Sequence, residues 1–100
     1  MKYNKLVRDN VPQHIKAKGE AIKTHTAGDV EYWSKLKEKL LEEVGEFNKD
    51  ESVEELADLL EVIDAIIEYK KFDRGEIEKV KGEKAETKGG FKNRIILDES

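Results

Sequence analysis

Hydrophobic positions recur three or four residues apart over two long stretches of the chain, which is the spacing of one buried face of an α-helix. The first stretch covers 30 to about 49. Its apolar positions are Trp33, Leu36, Leu40, Val44 and Phe47. The sequence NKDES at 48–52 interrupts the pattern, and a second helical stretch follows it to about 70. Its apolar positions are Val53, Leu56, Leu59, Leu60, Val62, Ile63, Ile66 and Ile67.

Two shorter helices are predicted on either side of this pair. The first is predicted over 8–19, where Pro12 suits a first turn and Gly19 ends the helix. The second is predicted over 74–87, where Asp73 is the N-cap and forms a capping box with Glu76. Two long helices joined by a short break are expected to pack antiparallel through their apolar faces. The pattern therefore predicts an all-α fold built on an antiparallel helical hairpin.

The remaining segments lack helical periodicity. Residues 20–29 are predicted to form a connecting loop, while 2–7 and 91–97 favour β-structure and could pair as a small two-stranded ribbon. We see no internal repeat or linker, so one domain over 1–100 is expected. The apolar arc of the second long helix spans about 160°, more than one partner helix covers, which indicates a surface for self-association.

Composition excludes several classes of function. A formal net charge of −4 argues against a nucleic-acid partner, because binding a phosphate backbone requires a basic face. The absence of cysteine excludes disulfides and thiolate zinc sites. No apolar run approaches the ~20 residues of a membrane span, and the start MKYNKLVRD lacks the apolar core of a signal peptide. We therefore expect no membrane partner and a cytoplasmic location.

Four acidic residues are placed against the apolar faces of the two long helices. At about 100° per residue, Glu43 falls beside Leu36 inside the apolar stripe, and Glu46 flanks it one turn further on. On the second helix Glu55 falls among the apolar positions and Asp58 lies next outward. Antiparallel packing could bring these carboxylates to one rim, where they would repel and take up protons unless a cation compensates them. Ligands that are all oxygen suit Mg²⁺ or Mn²⁺ better than zinc.

Ordinary structural roles can also account for these acids one at a time. Glu55 could be only the capping-box partner of Ser52. Glu46 could be a surface residue paired with Lys39 or Lys49. Acid pairs on both consecutive helices favour a metal site, but periodicity alone leaves the alternatives open.

The acids also form a motif with a known likeness. EEVGE at 42–46, followed by ELAD at 55–58, resembles the ExxE-spacer-ExxD signature of the MazG-like, all-α nucleoside triphosphate pyrophosphohydrolases. YNKLVRDNVP at 3–12 and KAETKGGFKNRIIL at 84–97 are similar to the flanks of its compact, phosphoribosyl-ATP pyrophosphohydrolase-like branch. The eight residues between the acidic motifs make a shorter spacer than is usual in the family, which leaves the pocket shape and the substrate open.

The resemblance implies a fold, a reaction and a set of metal ligands. The fold is a helical hairpin whose dimer completes a four-helix core, sometimes doubled to a tetramer. The reaction is Mg²⁺-dependent hydrolysis of a nucleotide at the α–β phosphoanhydride, which releases the monophosphate and pyrophosphate. By carry-over the metal ligands are Glu43, Glu46, Glu55 and Asp58. Among these carboxylates Glu46 is the preferred base for the attacking water, and Glu43 is the second catalytic candidate.

Cationic residues are the candidates for binding the phosphates of the substrate. They are Lys5, Arg8, Lys39, Lys84 and Arg94. Lys84 and Arg94 stand out through the family motif around Gly89 and Gly90, and Lys5 and Arg8 could reach the same place if the terminal segments pair. Each of these side chains could equally be a solvated surface charge, and Lys39 beside the acids is more typical of a structural salt bridge.

Two other functions compete with this one. A noncatalytic helical dimer could use the same scaffold to sense nucleotides or to bind a protein. An enzyme of histidine biosynthesis acting on phosphoribosyl-ATP is the third possibility, and it is disfavoured because the flanks resemble the "-like" branch. His14 and His25 lack companions that would make them metal ligands, and no role is assigned to them.

Overall fold

The chain forms four helices over residues 3–100, the part that the computed structural model describes. They are α1 (Val11–Ala17), α2 (Asp29–Lys49), α3 (Val53–Lys70) and α4 (Arg74–Lys88). The predicted all-α fold is confirmed, with each long helix beginning and ending within about one residue of its predicted bounds. The start of the segment 2–7 lies outside the described residues.

Helices α2 and α3 pack against each other as an antiparallel hairpin, the most extensive helix–helix contact among residues 3–100. Near the open end of the hairpin, the ring of Tyr69 stacks on Trp33 at 5.1 Å between centroids and meets Tyr32 edge-on at 5.5 Å. Near the turn, Glu43 of α2 approaches the first turns of α3. The hairpin thus has an aromatic end and an acidic end.

Side-chain caps fix where α3 and α4 begin. The backbone amide of Glu55 donates to the hydroxyl oxygen of Ser52 at 3.2 Å, as the sequence predicts for the start of α3. Asp73 caps α4, but its carboxylate accepts from the amide of Gly75 at 3.1 Å, two residues on rather than three. Because Ser52 sets the start of α3, it also sets the helical position of Glu55.

The predicted terminal ribbon is wrong, since residues 3–100 contain no strand. Residues 91–97 are instead irregular and exposed, with Phe91 97% exposed and a turn in which the amide of Arg94 donates to the carbonyl of Phe91 at 3.1 Å. A two-stranded ribbon is marginal in water unless a hydrophobic surface supports it. Residues 91–97 pack on no such surface in the single chain, so β-propensity alone does not produce the strands.

Little of the apolar surface is buried within one chain. Leu36 is 1% exposed and Val62 is 7% exposed, while Leu56, Leu60 and Ile63 of α3 remain 38–53% exposed. The radius of gyration is 18.0 Å, against about 13 Å for a compact chain of this length. The hairpin therefore leaves a large part of the apolar face of α3 uncovered.

None of the helices within residues 3–100 combines the length and apolar character needed to cross a membrane.

Candidate metal centre

Three of the four acidic side chains singled out in the sequence meet where α2 packs on α3. Glu43, Glu55 and Asp58 each offer one carboxylate oxygen, and these oxygens lie within 4.8 Å of one another. Glu43 is buried, whereas Glu55 and Asp58 are half-buried and one helical turn apart on α3. These three side chains, called the acidic group below, are close enough to share one cation.

The carboxylates of the acidic group act on one another. Partial burial raises the pKa of Glu55, and the charges of Asp58, Glu46 and Glu43 raise it further. An ionised carboxylate is disfavoured where water is partly excluded and negative charge is already present. Glu55 therefore takes up a proton more readily than an ordinary glutamate, unless a cation compensates the group.

Glu46 lies beside the acidic group but does not join its three oxygens. It is half-buried one turn along α2 from Glu43, and its negative charge reaches both Glu55 and Lys5. The structure thus brings three of the four predicted ligands together and leaves Glu46 at the margin.

Cations from the N-terminal segment and from α2 hold the acids. Arg8 contacts Asp58 at 2.7 Å between Nη2 and Oδ1, across fifty positions of sequence. Lys39 lies 3.4 Å from Glu43 and 3.5 Å from Glu42. Three of the predicted phosphate-binding residues, Lys5, Arg8 and Lys39, therefore lie at the acidic end of the hairpin, where they pair with carboxylates.

Glu42 also belongs to this surrounding network, although it is not one of the four predicted ligands. Partial burial would raise its pKa, but a 3.0 Å hydrogen bond from Lys5 and the charge of Lys39 outweigh that effect and lower the pKa. The pairing with Glu42 raises the pKa of Lys5 in turn. Only the fold reveals this role, because it depends on where the N-terminal segment crosses α2.

The acidic end of the hairpin carries an excess of negative charge. Six carboxylates lie there against three cationic side chains, which leaves three negative charges uncompensated. The carboxylates are Glu42, Glu43, Glu46, Asp50, Glu55 and Asp58, and the cations are Lys5, Arg8 and Lys39. One divalent cation would offset most of this excess, and oxygen ligands of this kind are those that Mg²⁺ and Mn²⁺ prefer.

A groove of about 1360 Å³ leads from the acidic end to the aromatic end of the hairpin. Residues of the N-terminal segment form one wall, and α2 and α3 form the other. Glu43 and Asp58 line one end, and Tyr32 and Tyr69 line the other. The groove therefore offers a negative end suited to a metal and a ring-lined end suited to a planar group.

The other two predicted phosphate-binding residues lie elsewhere in the chain. Lys84 lines a smaller groove of about 370 Å³ beside Phe72 and Val80, at the surface of α4. Arg94 is exposed in the tail, with a left-handed backbone at φ 57°. A single chain therefore does not place Lys84 or Arg94 in the groove that holds the acidic group.

The two histidines also lie apart from the acidic group. His14 lines the groove, and His25 lies 2.9 Å from a carboxylate oxygen of Glu31. Neither belongs to the group of oxygens that could share a cation.

Comparisons with known proteins find a partial match to an uncharacterized protein. An uncharacterized protein of Mycolicibacterium smegmatis is 49% identical to it over 41 residues. The matched stretch covers 41% of this chain and 42% of that protein. No protein-family model and no solved structure matches the chain. The functional conclusion therefore depends on the site itself.

Proposed function

We propose that the chain is a Mg²⁺-dependent nucleotide pyrophosphohydrolase, which cleaves the α–β phosphoanhydride and releases a nucleoside monophosphate and pyrophosphate. The observation that carries the proposal is the acidic group, Glu43, Glu55 and Asp58, whose oxygens lie within 4.8 Å of one another at one end of a groove. The resemblance of EEVGE and ELAD to the MazG-like signature supports the same reaction.

The residues at the acidic end suit a hard divalent cation. Glu43, Glu55 and Asp58 would hold Mg²⁺, and Mn²⁺ could replace it. The bound cation would neutralise phosphate charge and lower the pKa of a bound water. Glu46 is the preferred proton acceptor, since its half-buried carboxylate lies beside the group without being one of its three oxygens.

The cations that hold the acids are suited to a second role when nucleotide binds. Arg8 and Lys39 compensate Asp58 and Glu43 in the metal-free chain. A divalent cation on these carboxylates would release both side chains toward the substrate phosphates. Arg is well matched to such a role because its planar group can make paired hydrogen bonds to phosphate oxygens.

Self-association into a homodimer or homotetramer is part of the proposal. Leu56, Leu60 and Ile63 form an exposed apolar row on α3, and the chain is more extended than a compact chain of its length. A second hairpin on this row would bury it and complete a four-helix core.

Identifying the products from a panel of nucleotides tests the reaction. Nucleoside triphosphates and phosphoribosyl-ATP would each be incubated with the chain and Mg²⁺ or EDTA, and the products followed by ³¹P NMR. We expect a monophosphate and pyrophosphate from at least one nucleotide, with Mg²⁺ only. Cleavage should fall at least about 100-fold in Glu43→Gln and Asp58→Asn, because each loses a metal ligand. The control variant Glu54→Gln, at an exposed position of α3, should cleave the nucleotide as fast as wild type.

Two results would contradict the proposal. Release of a nucleoside diphosphate and inorganic phosphate would show that the chain cleaves the β–γ bond and not the α–β phosphoanhydride. If no nucleotide is cleaved, and nucleotide binding is unchanged in Glu43→Gln and Asp58→Asn, the chain is the noncatalytic nucleotide sensor and not an enzyme.

A further inference from the structure

The N-terminal segment 5–10 crosses the acidic end of the hairpin and is tied to both long helices. Lys5 donates to Glu42 of α2 at 3.0 Å, and Arg8 donates to Asp58 of α3 at 2.7 Å. All six residues of the segment line the groove that holds the acidic group. This segment, called the strap below, is therefore a wall of the groove that is attached to the hairpin by two ion pairs.

Few other contacts hold the strap in place. In the part of the chain that the structure describes, its backbone bonds run toward α1: the carbonyl of Arg8 accepts from the amide of Val11 at 3.0 Å, and that of Asn10 accepts from His14 at 3.2 Å. No backbone hydrogen bond there joins the strap to α2 or α3. Leu6 is its one half-buried side chain. The strap can therefore move off the hairpin without breaking any helix.

Arg8 differs from Lys39 in how it is fixed beside the acidic group. Lys39 lies one turn before Glu43 on α2, so the helix itself keeps the two residues close together. Arg8 reaches Asp58 from a separate segment, and its side chain is 57% exposed. Losing the contact with Glu43 would leave the backbone at Lys39 where it is. Losing the contact with Asp58 would remove one of the two attachments of the strap.

A cation bound by the acidic group would compete with Arg8 for Asp58. Mg²⁺ lies about 2 Å from each oxygen that binds it. The guanidinium of Arg8 already lies 2.7 Å from one oxygen of the same carboxylate. Two positive charges at one carboxylate repel each other, so the contact that holds the strap weakens cation binding. By reciprocity, the cation loosens the strap by the same factor.

We propose that the strap is an autoinhibitory latch. Arg8 holds it on Asp58 until a divalent cation takes that carboxylate, and the strap then swings away from α3 and opens the groove. Lys5 stays paired with Glu42, and α1 anchors the other end, so the strap moves as a loop between two fixed points. This inference rests on the proposed function, because it assigns a regulator to the same metal site.

Mn²⁺ titrations followed by electron paramagnetic resonance, without nucleotide, test whether Arg8 competes with the cation. Arg8→Gln should bind Mn²⁺ about two- to fivefold more tightly than wild type, the range that an exposed ion pair accounts for. If Arg8 instead positions Asp58 for the metal, the variant should bind Mn²⁺ more weakly. The matched control is Arg74→Gln, which removes an equally exposed arginine–aspartate pair, with Asp64 of α3, and should bind Mn²⁺ as wild type does.

Heteronuclear NOE measurements on the backbone amides report the motion of the strap directly. In wild type, saturating Mg²⁺ should lower the NOE values of the strap to those that Arg8→Gln shows without Mg²⁺. The values for α2 should stay the same in both chains. Circular dichroism checks that the variants keep the helical content of wild type.

Three results would overturn the latch and leave the metal site intact. They are Mn²⁺ binding that is no tighter in Arg8→Gln than in wild type, an equal gain in affinity in Arg74→Gln, and strap NOE values that Mg²⁺ does not change in wild type. The second result would show a general effect of charge and not competition at Asp58. If wild type binds no Mn²⁺ at all, the latch and the proposed function both fail.

Discussion

At the scale of single residues, Glu43 is the charged side chain that the fold buries among residues 3–100. Lys39, one turn earlier on α2 at 3.4 Å, compensates its charge. Helical geometry predicts this placement from sequence, because position 43 falls beside Leu36 on the same face. The contact of Arg8 with Asp58 could not be predicted in this way. It joins residues fifty positions apart and depends on the path of a segment without periodicity.

Glu55 gives a pH-dependent prediction for the metal-free chain. Its pKa is raised in the folded state, so folding is favoured most below the ordinary pKa of a glutamate and loses stability as the pH rises through the raised value. Glu55→Gln removes that loss. In EDTA at pH 7 the variant should therefore melt at a higher temperature than wild type, and the two should converge at about pH 3.

Glu54→Gln is the matched control, since it removes one negative charge from the same first turn at an exposed position. It should melt within about a degree of wild type at both pH values, as surface substitutions usually do. If Glu55→Gln melts no higher than wild type in EDTA at pH 7, the carboxylates do not repel one another as described.

At the scale of helices, periodicity and capping residues predict the hairpin closely because both are local. The break NKDES and the cap at Ser52 place α3 correctly, and the apolar spacing includes Leu36 and Val62, the two buried apolar side chains of α2 and α3. The same local reasoning fails for the tail, where β-favouring residues form no strand. Strand formation needs a partner and a surface behind it, and neither is visible in the local sequence.

The cap of α3 yields a prediction about stability. Ser52→Ala leaves the backbone amide of Glu55 without its side-chain partner, and it should lower the free energy of unfolding by about 1 kcal/mol. Ser52→Asp should retain most of the stability, because aspartate is an equally good N-cap. Urea denaturation measures the free energy of unfolding of both variants, provided that their m-values equal that of wild type.

The matched control is Ser34→Ala, at an exposed position within α2. Alanine has the higher helix propensity there, so this variant should be as stable as wild type or slightly more so. Equal unfolding free energies for Ser52→Ala and Ser34→Ala would show that the cap does not stabilise α3.

At the scale of the whole molecule, one chain exposes two apolar surfaces. Its dimensions of 55 × 31 × 24 Å reflect a hairpin from which α4 and the tail extend, with apolar side chains exposed on both α3 and the tail. The wide apolar arc of α3 predicts from the sequence that part of its apolar face is not covered by α2. The location of Lys84 and Arg94 could not be predicted, since it depends on how α4 and the tail leave the hairpin.

Mn²⁺ binding followed by electron paramagnetic resonance tests the central claim, that Glu43, Glu55 and Asp58 bind a divalent cation. The signal of free Mn²⁺ should fall when wild-type chain or Glu54→Gln is added, and excess Mg²⁺ should restore it. Glu43→Gln should leave most of the free signal in place, because the buried ligand of the acidic group is lost. Equal loss of the free Mn²⁺ signal with wild type and Glu43→Gln would contradict the account.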